Sequence, residues 1–152
     1  MLRMLSSVLL TALPLAFCLA QKPPHPVQIS TKLTKPDSEG RQLLIVRIVI
    51  EKGWHIYANP AGAAGPIPTT VQVETASALR DVQIQYPPGK LKTEAGANFQ
   101  IYEDTVEITV RLQRALANGQ PDSSPLTLSV RYQACNDQIC LPPRTVKLTA
   151  AP

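Results

Sequence analysis

The sequence is short of cysteine and histidine: 152 residues hold three cysteines, Cys18, Cys135 and Cys140, and two histidines, His25 and His55. That supply is thin for a metal centre, because two neighbouring thiolates need further ligands to close a coordination sphere. No metal is therefore expected. Charge of either sign is scattered, with a formal net charge of +4. Without a run of Lys or Arg, and without aromatics interleaved among them, nothing argues for nucleic acid or a membrane surface. The chain also lacks a sustained helical period, an internal repeat and any sign of a second domain.

The longest apolar stretch lies at the N-terminus, in MLRMLSSVLLTALPLAFCLAQK. A positive start at Arg3, an apolar run from Leu5 to Phe17 broken by Pro14, and the small-residue end Cys18-Leu19-Ala20 form the layout of a secretory signal peptide, residues 1–20. A bilayer span takes roughly 20 predominantly apolar residues, and this run is shorter. Lipid attachment at Cys18 is disfavoured because Phe17 stands where a lipoprotein signal has a small residue. Gln21 to Pro26 reads as a Pro-rich leader, and residues 27–152 as one domain of comfortable size. Export bears on the cysteines, since an exported chain meets oxidants and can hold a disulfide. Once Cys18 leaves with the signal, Cys135 and Cys140 can only pair with each other or stay reduced.

Alternation of apolar and polar residues recurs through the remaining chain. Val106 to Leu112 and Leu126 to Gln133 alternate strictly, as strands with one face on a core do. Shorter runs at Val71–Val73, Val82–Tyr86 and Val146–Leu148 predict further strands. Leu43 to Ile50, LLIVRIVI, is almost continuously apolar and rich in β-branched residues, which predicts a central strand covered on both faces or nearly so. Fifteen prolines fit strand ends and loops but not helix interiors. Seven or more short strands separated by such breakers predict an all-β chain, an immunoglobulin-like antiparallel β-sandwich.

The chemistry concentrates in YQACNDQICLPPRT, residues 132–145. With the strand through Val130 and Tyr132 reaching Cys135, and Asn136 to Ile139 as a four-residue turn, Cys135 and Cys140 would flank a hairpin loop and lie within bridging distance. A bridge closing so small a loop restricts the unfolded chain little, and a bond at a hairpin tip is open to a partner thiolate. Spacing alone leaves a plain loop staple and a reactive bond equally open. The diproline Pro142-Pro143 either ends the ladder or fixes the angle of Cys140. Asp137 is either a turn former or a charge that disfavours a neighbouring thiolate.

Tyr132-Gln133-Ala134-Cys135, the short loop and Cys140-Leu141-Pro142-Pro143 resemble the active-site signature of the N-terminal periplasmic domain of the DsbD thiol:disulfide interchange family. Lys52-Gly53-Trp54-His55-Ile56-Tyr57 and Ile101-Tyr102-Glu103 resemble it in the same order. The resemblance implies a periplasmic domain that relays electrons without a cofactor. A thioredoxin-like or DsbD-like membrane donor would reduce it, and oxidised exported proteins, such as disulfide isomerases or cytochrome c maturation factors, would accept from it. It implies that Cys140 forms the mixed disulfides, that Cys135 resolves them, and that Tyr57 lies beside the site. His55 takes a nearby aromatic position, for packing or proton transfer. The family's cap loop falls at Thr93 to Asn98, where Glu94 would match a carboxylate near the sulfurs. That segment lacks the covering aromatic residue, a part that Phe99 could take from a shifted register. Because the chain stops at Pro152, the expectation is a stand-alone thiol-disulfide oxidoreductase. The competing reading is an immunoglobulin-like binding module, with a purely structural disulfide and a recognition surface on its strands or its loop Asn59 to Pro68.

Overall fold

A computed structural model describes residues 25–75, 78–94 and 96–152. The expected signal peptide and most of the leader lie outside the described residues. Thirteen strands run in chain order: β1 Val27–Leu33, β2 Arg41–Ile50, β3 His55–Tyr57, β4 Thr70–Glu74, β5 Leu79–Gln85, β6 Lys90–Glu94 and β7 Ala97–Tyr102. They continue as β8 Thr105–Arg114, β9 Leu116–Ala117, β10 Gln120–Pro121, β11 Leu126–Tyr132, β12 Ala134–Cys135 and β13 Arg144–Ala150. Among the described residues there is no helix.

The strands form an immunoglobulin-like antiparallel sandwich. One sheet has the order β1-β2-β8-β5, a second β13-β11-β4, and a third, smaller sheet β12-β3-β7-β6, with β9 and β10 as a short ribbon. A single core joins all three sheets. It takes Leu44, Val46 and Ile48 from β2, Ile108 and Val110 from β8, Leu128, Val130 and Tyr132 from β11, and Ile56 and Tyr102 from the small sheet. The alternation in β8 and β11 is what puts these residues on one side, since a strand shows successive side chains to opposite faces.

Two expectations need correction. β2 is an interior strand, paired with β1 and β8, but it is not covered on both faces. Its burial alternates, with Arg47 exposed and Val49 39% exposed, so the β-branched outer residues stabilise a pleated strand rather than a second core. The chain through Tyr132 also does not run on as one strand into Cys135. β11 pairs with β13 in the second sheet, whereas β12 pairs with β3 in the small sheet, so the chain changes sheets at Gln133.

One residue at an inward position is charged. Arg114, the last residue of β8, is fully buried and donates to Gln42 Oε1 at 2.6 Å, Asp122 Oδ2 at 3.1 Å and the Ser124 carbonyl at 2.7 Å. These acceptors satisfy a guanidinium that would otherwise be costly to bury.

Truncation at the centre of this core is expected to be expensive. Leu128→Ala should lower the unfolding free energy by roughly 2–5 kcal/mol in chemical denaturation. A loss below that range would mean that the second sheet is not packed into the common core.

Candidate active site

The small sheet has two unlike faces. In the pairings Ala134 with Ile56 and Ile56 with Tyr102, the side chains turn inward and join the common core. In the alternate positions Cys135 pairs with His55, Tyr57 with Ile101, and Lys92 with Phe99. Cross-strand partners share a face, so these residues all point away from the main core. There Cys135, Tyr57, Ile101 and Ala61 bury one another in a second, smaller cluster, with Phe99 packed against it. The Tyr57 ring meets His55 and Phe99 edge to face, at 5.7 and 5.8 Å between centroids.

Cys135 and Cys140 are joined by a disulfide. The two half-cystines are unequal: Cys135 is 1% exposed, whereas Cys140 is exposed. A disulfide sulfur carries no hydrogen, so the 3.8 Å contact between Tyr57 and Cys135 has the phenol O–H directed at Sγ. Around the bond the loop is closed by hydrogen bonds. The Asn136 N–H donates to the Ile139 carbonyl at 2.9 Å, and the Leu141 N–H to the Ala134 carbonyl at 2.8 Å. Asn136 Oδ1 accepts from the N–H groups of Gln138 and Ile139, at 2.9 and 2.8 Å, as a turn-forming asparagine does. Gln133 Nε2 adds a bond to the Leu141 carbonyl at 3.2 Å.

Charge enters from β6. Lys92 Nζ donates to Asp137 Oδ1 at 3.0 Å and stands 3.5 Å from His55 Nδ1. This hydrogen bond and the lysine's charge hold the Asp137 carboxyl below its usual range. Burial pushes the His55 imidazole toward its neutral form, and Lys92 adds to the effect; Glu94, Glu103 and Asp137 oppose it. Burial, and then the Glu94 carboxylate, push the Tyr57 phenol up. A neutral His55 whose Nδ1 faces an ammonium must accept there and carry its hydrogen on Nε2. Nε2 is buried and finds no hydrogen-bond partner.

The residues singled out in the sequence therefore fall in one place. Cys135, His55 and Tyr57 share the outer face, and Asp137 lies in the loop between the sulfurs. Glu94 is at the end of β6, and its charge reaches both His55 and Tyr57. Pro142 and Pro143 are exposed and separate the loop from β13. The Thr93–Asn98 segment takes the last two residues of β6 and the first two of β7, paired Thr93 with Asn98 and Glu94 with Ala97; Ala95 lies outside the described residues. Phe99 packs on Tyr57 from β7. The loop Asn59 to Pro68 is anchored beside the site, through Ala61 in the cluster and the Gln100 N–H to Ala61 carbonyl bond. Sequence reading missed Lys92; the available signal was the alternation Lys90-Lys92-Glu94, which puts three charges on one side of a strand. Among the described residues, no three His, Cys, Asp or Glu side chains gather as metal ligands would.

A two-sheet antiparallel sandwich with a short-loop disulfide on the outer face of a small third sheet defines a class: β-sandwich domains with a cysteine pair at the surface of one sheet. The family model described as "Thiol:disulfide interchange protein DsbD, N-terminal" matches residues 22–152, and the chain belongs to that family. Solved structures share the fold, among them two N-terminal domains. The N-terminal periplasmic domain of ScsB from Proteus mirabilis superposes with a TM-score of 0.66 at 17% identity, over 84% of this chain and 47% of that one. The chain thus spans about half the length of that ScsB domain. The Neisseria meningitidis DsbD N-terminal domain in the reduced form gives a TM-score of 0.51 at 17% identity, over 82% of this chain and 84% of that one. No curated protein matches the sequence.

His55 supplies a direct check on the site's electrostatics. Its midpoint in the folded domain should lie below the ordinary 6.5, because burial at 3% exposure disfavours the cation. The unfolded chain then binds the proton first. The contribution of His55 to stability is therefore present above about pH 6.5 and is lost as pH falls through the lower folded value. Imidazole resonances followed by NMR against pH should show the depressed midpoint. A midpoint at or above 6.5 would contradict the burial and the Lys92 contact.

Proposed function

We propose that this domain is an exported thiol–disulfide interchange module that passes two electrons at a time through the Cys135/Cys140 pair. The observation that carries the reading is the inequality of the two half-cystines, one exposed and one buried. A thiolate arriving from solvent meets Cys140 and expels Cys135, which sits in a packed, Tyr57-backed position from which it can return. Family membership supports the reading, and so does a loop whose turn is closed by hydrogen bonds that do not involve sulfur. A staple around so few residues would stabilise the fold by only about 2 kcal/mol on the loop-entropy estimate, far less than a bridge between distant strands.

In the reducing half-cycle a donor thiolate attacks Cys140 Sγ, the S–S bond breaks, and Cys135 leaves as the thiolate. The donor's second thiol then resolves the mixed disulfide, leaving the donor oxidised and this domain a dithiol. In the second half-cycle the Cys140 thiolate attacks an acceptor disulfide, and Cys135 attacks Cys140 Sγ to release the acceptor as a dithiol. Two electrons and two protons pass through, and no cofactor takes part. The donor would be a thioredoxin-like or DsbD-like membrane protein, and the acceptors oxidised exported proteins. Tyr57 would orient Cys135, Glu94 would tune the charge beside it, and the diproline would hold the far side of the loop.

Trapping distinguishes the two cysteines. Reduced Cys135→Ala should accumulate a mixed disulfide with an oxidised thioredoxin-like protein at least about tenfold faster than Cys140→Ala, since access limits exchange. Mass spectrometry of the quenched mixture reads the result. Equal trapping by both variants, or by neither, would contradict the assignment.

A further inference from the structure

Lys92 contacts the redox loop at Asp137, and the interchange cycle has as yet no use for it. Its side chain is 23% exposed and leaves β6 on the face that carries Cys135, His55 and Tyr57. Its ammonium is fixed by two contacts at once, Asp137 Oδ1 at 3.0 Å and His55 Nδ1 at 3.5 Å. Asp137 belongs to the segment between the two sulfurs, so the positive charge is tied to the part of the chain that becomes negative on reduction. Opening the disulfide with a partner dithiol delivers two electrons to the S–S bond and leaves the partner as a disulfide. Of the partner's two protons, one remains on a cysteine as S–H, and the other passes to solvent when the second sulfur stays as a thiolate. Without a cation, that thiolate would share the loop with the Asp137 carboxylate, and like charges at short range disfavour each other.

We propose that Lys92 is a positioning residue for interchange: it neutralises Asp137, holds the loop against β6, and supplies the positive charge that stabilises the thiolate formed on reduction. The proposal rests on the interchange reading. His55 gives it a second support. His55 is the residue paired with Cys135, and its buried Nε2 has no hydrogen-bond partner, an arrangement that costs free energy when no acceptor faces it. Reduction places a new anionic acceptor in that neighbourhood while Lys92 keeps the hydrogen of His55 on Nε2. The other charged or titratable groups around the loop are Tyr57 on β3, Lys90 and Glu94 on β6, and Glu103 after β7. Lys90 is engaged with Glu103 and Asp104, which leaves Lys92 as the ammonium directed at the loop. Arg144, at the start of β13, is directed at the Tyr132 hydroxyl.

The test is the pH dependence of Cys140 alkylation by iodoacetamide in the dithiothreitol-reduced, folded domain, read by peptide mass spectrometry, for wild type, Lys92→Met and Lys92→Arg. Lys92→Met should move the midpoint upward and slow alkylation at pH 7 about three- to tenfold, while Lys92→Arg stays close to wild type. The dithiothreitol redox equilibrium should shift toward the disulfide in Lys92→Met, a tenfold change corresponding to about 30 mV for this two-electron couple. If the midpoint of folded Lys92→Met coincides with wild type, or Lys92→Arg behaves like Lys92→Met, the role assigned to Lys92 is overturned while interchange stands. If dithiothreitol cannot reduce the wild-type bond in the folded domain, the interchange reading fails and takes this proposal with it.

Discussion

The site depends on a turn that is closed without its disulfide. Asn136 accepts two backbone N–H groups through its side chain, and two backbone bonds and Gln133 pin the turn on either side. The sulfurs are thereby held opposite each other by hydrogen bonds in which sulfur takes no part. A redox centre needs this property, because electrons can enter and leave only if both states share one fold. The common core makes the same point on a larger scale, since its buried side chains come from three sheets and owe nothing to the bridge.

A sheet with two occupied faces provides the platform. Ile56, Tyr102 and Ala134 anchor the small sheet in the main core, and the intervening positions deliver Cys135, His55 and Tyr57 to the outside. The crossing at Gln133 is what moves the chain from the second sheet to this platform, so that one cysteine is packed while the other faces solvent. Phe99 and Ala61 complete the packing around the buried half-cystine. The same face brings β6 close enough for Lys92 to reach the loop.

Strands with strict alternation were readable from sequence because burial on one face imposes a period of two; Leu126 to Tyr132 and Val106 to Leu112 show it. The cysteine pairing was readable because five residues of separation leave few geometries. Leu43 to Ile50 misled because β-branched residues favour strands on either face, so an apolar run does not distinguish a second core from a half-exposed sheet. The change of sheets at Gln133 left no mark in the residue pattern. Arg114 and Lys92 were missed for a shared reason: a cation in a strand usually lies in solvent, and the partners that hold these two, Asp122 and Asp137, are set by the tertiary fold. His55 was visible as a candidate, but its Lys92 contact depends on strand order.

The central claim is that the Cys135–Cys140 bond is exchangeable within an intact fold. Equilibrating the domain against thioredoxin, with thiol trapping and a circular dichroism spectrum at each point, addresses it directly. A potential in the thioredoxin range, near about −270 mV, with an unchanged spectrum in both states is the expected result. A bond that stays oxidised well below about −300 mV, or opens only as the sandwich unfolds, would contradict the claim and mark the disulfide as a structural staple.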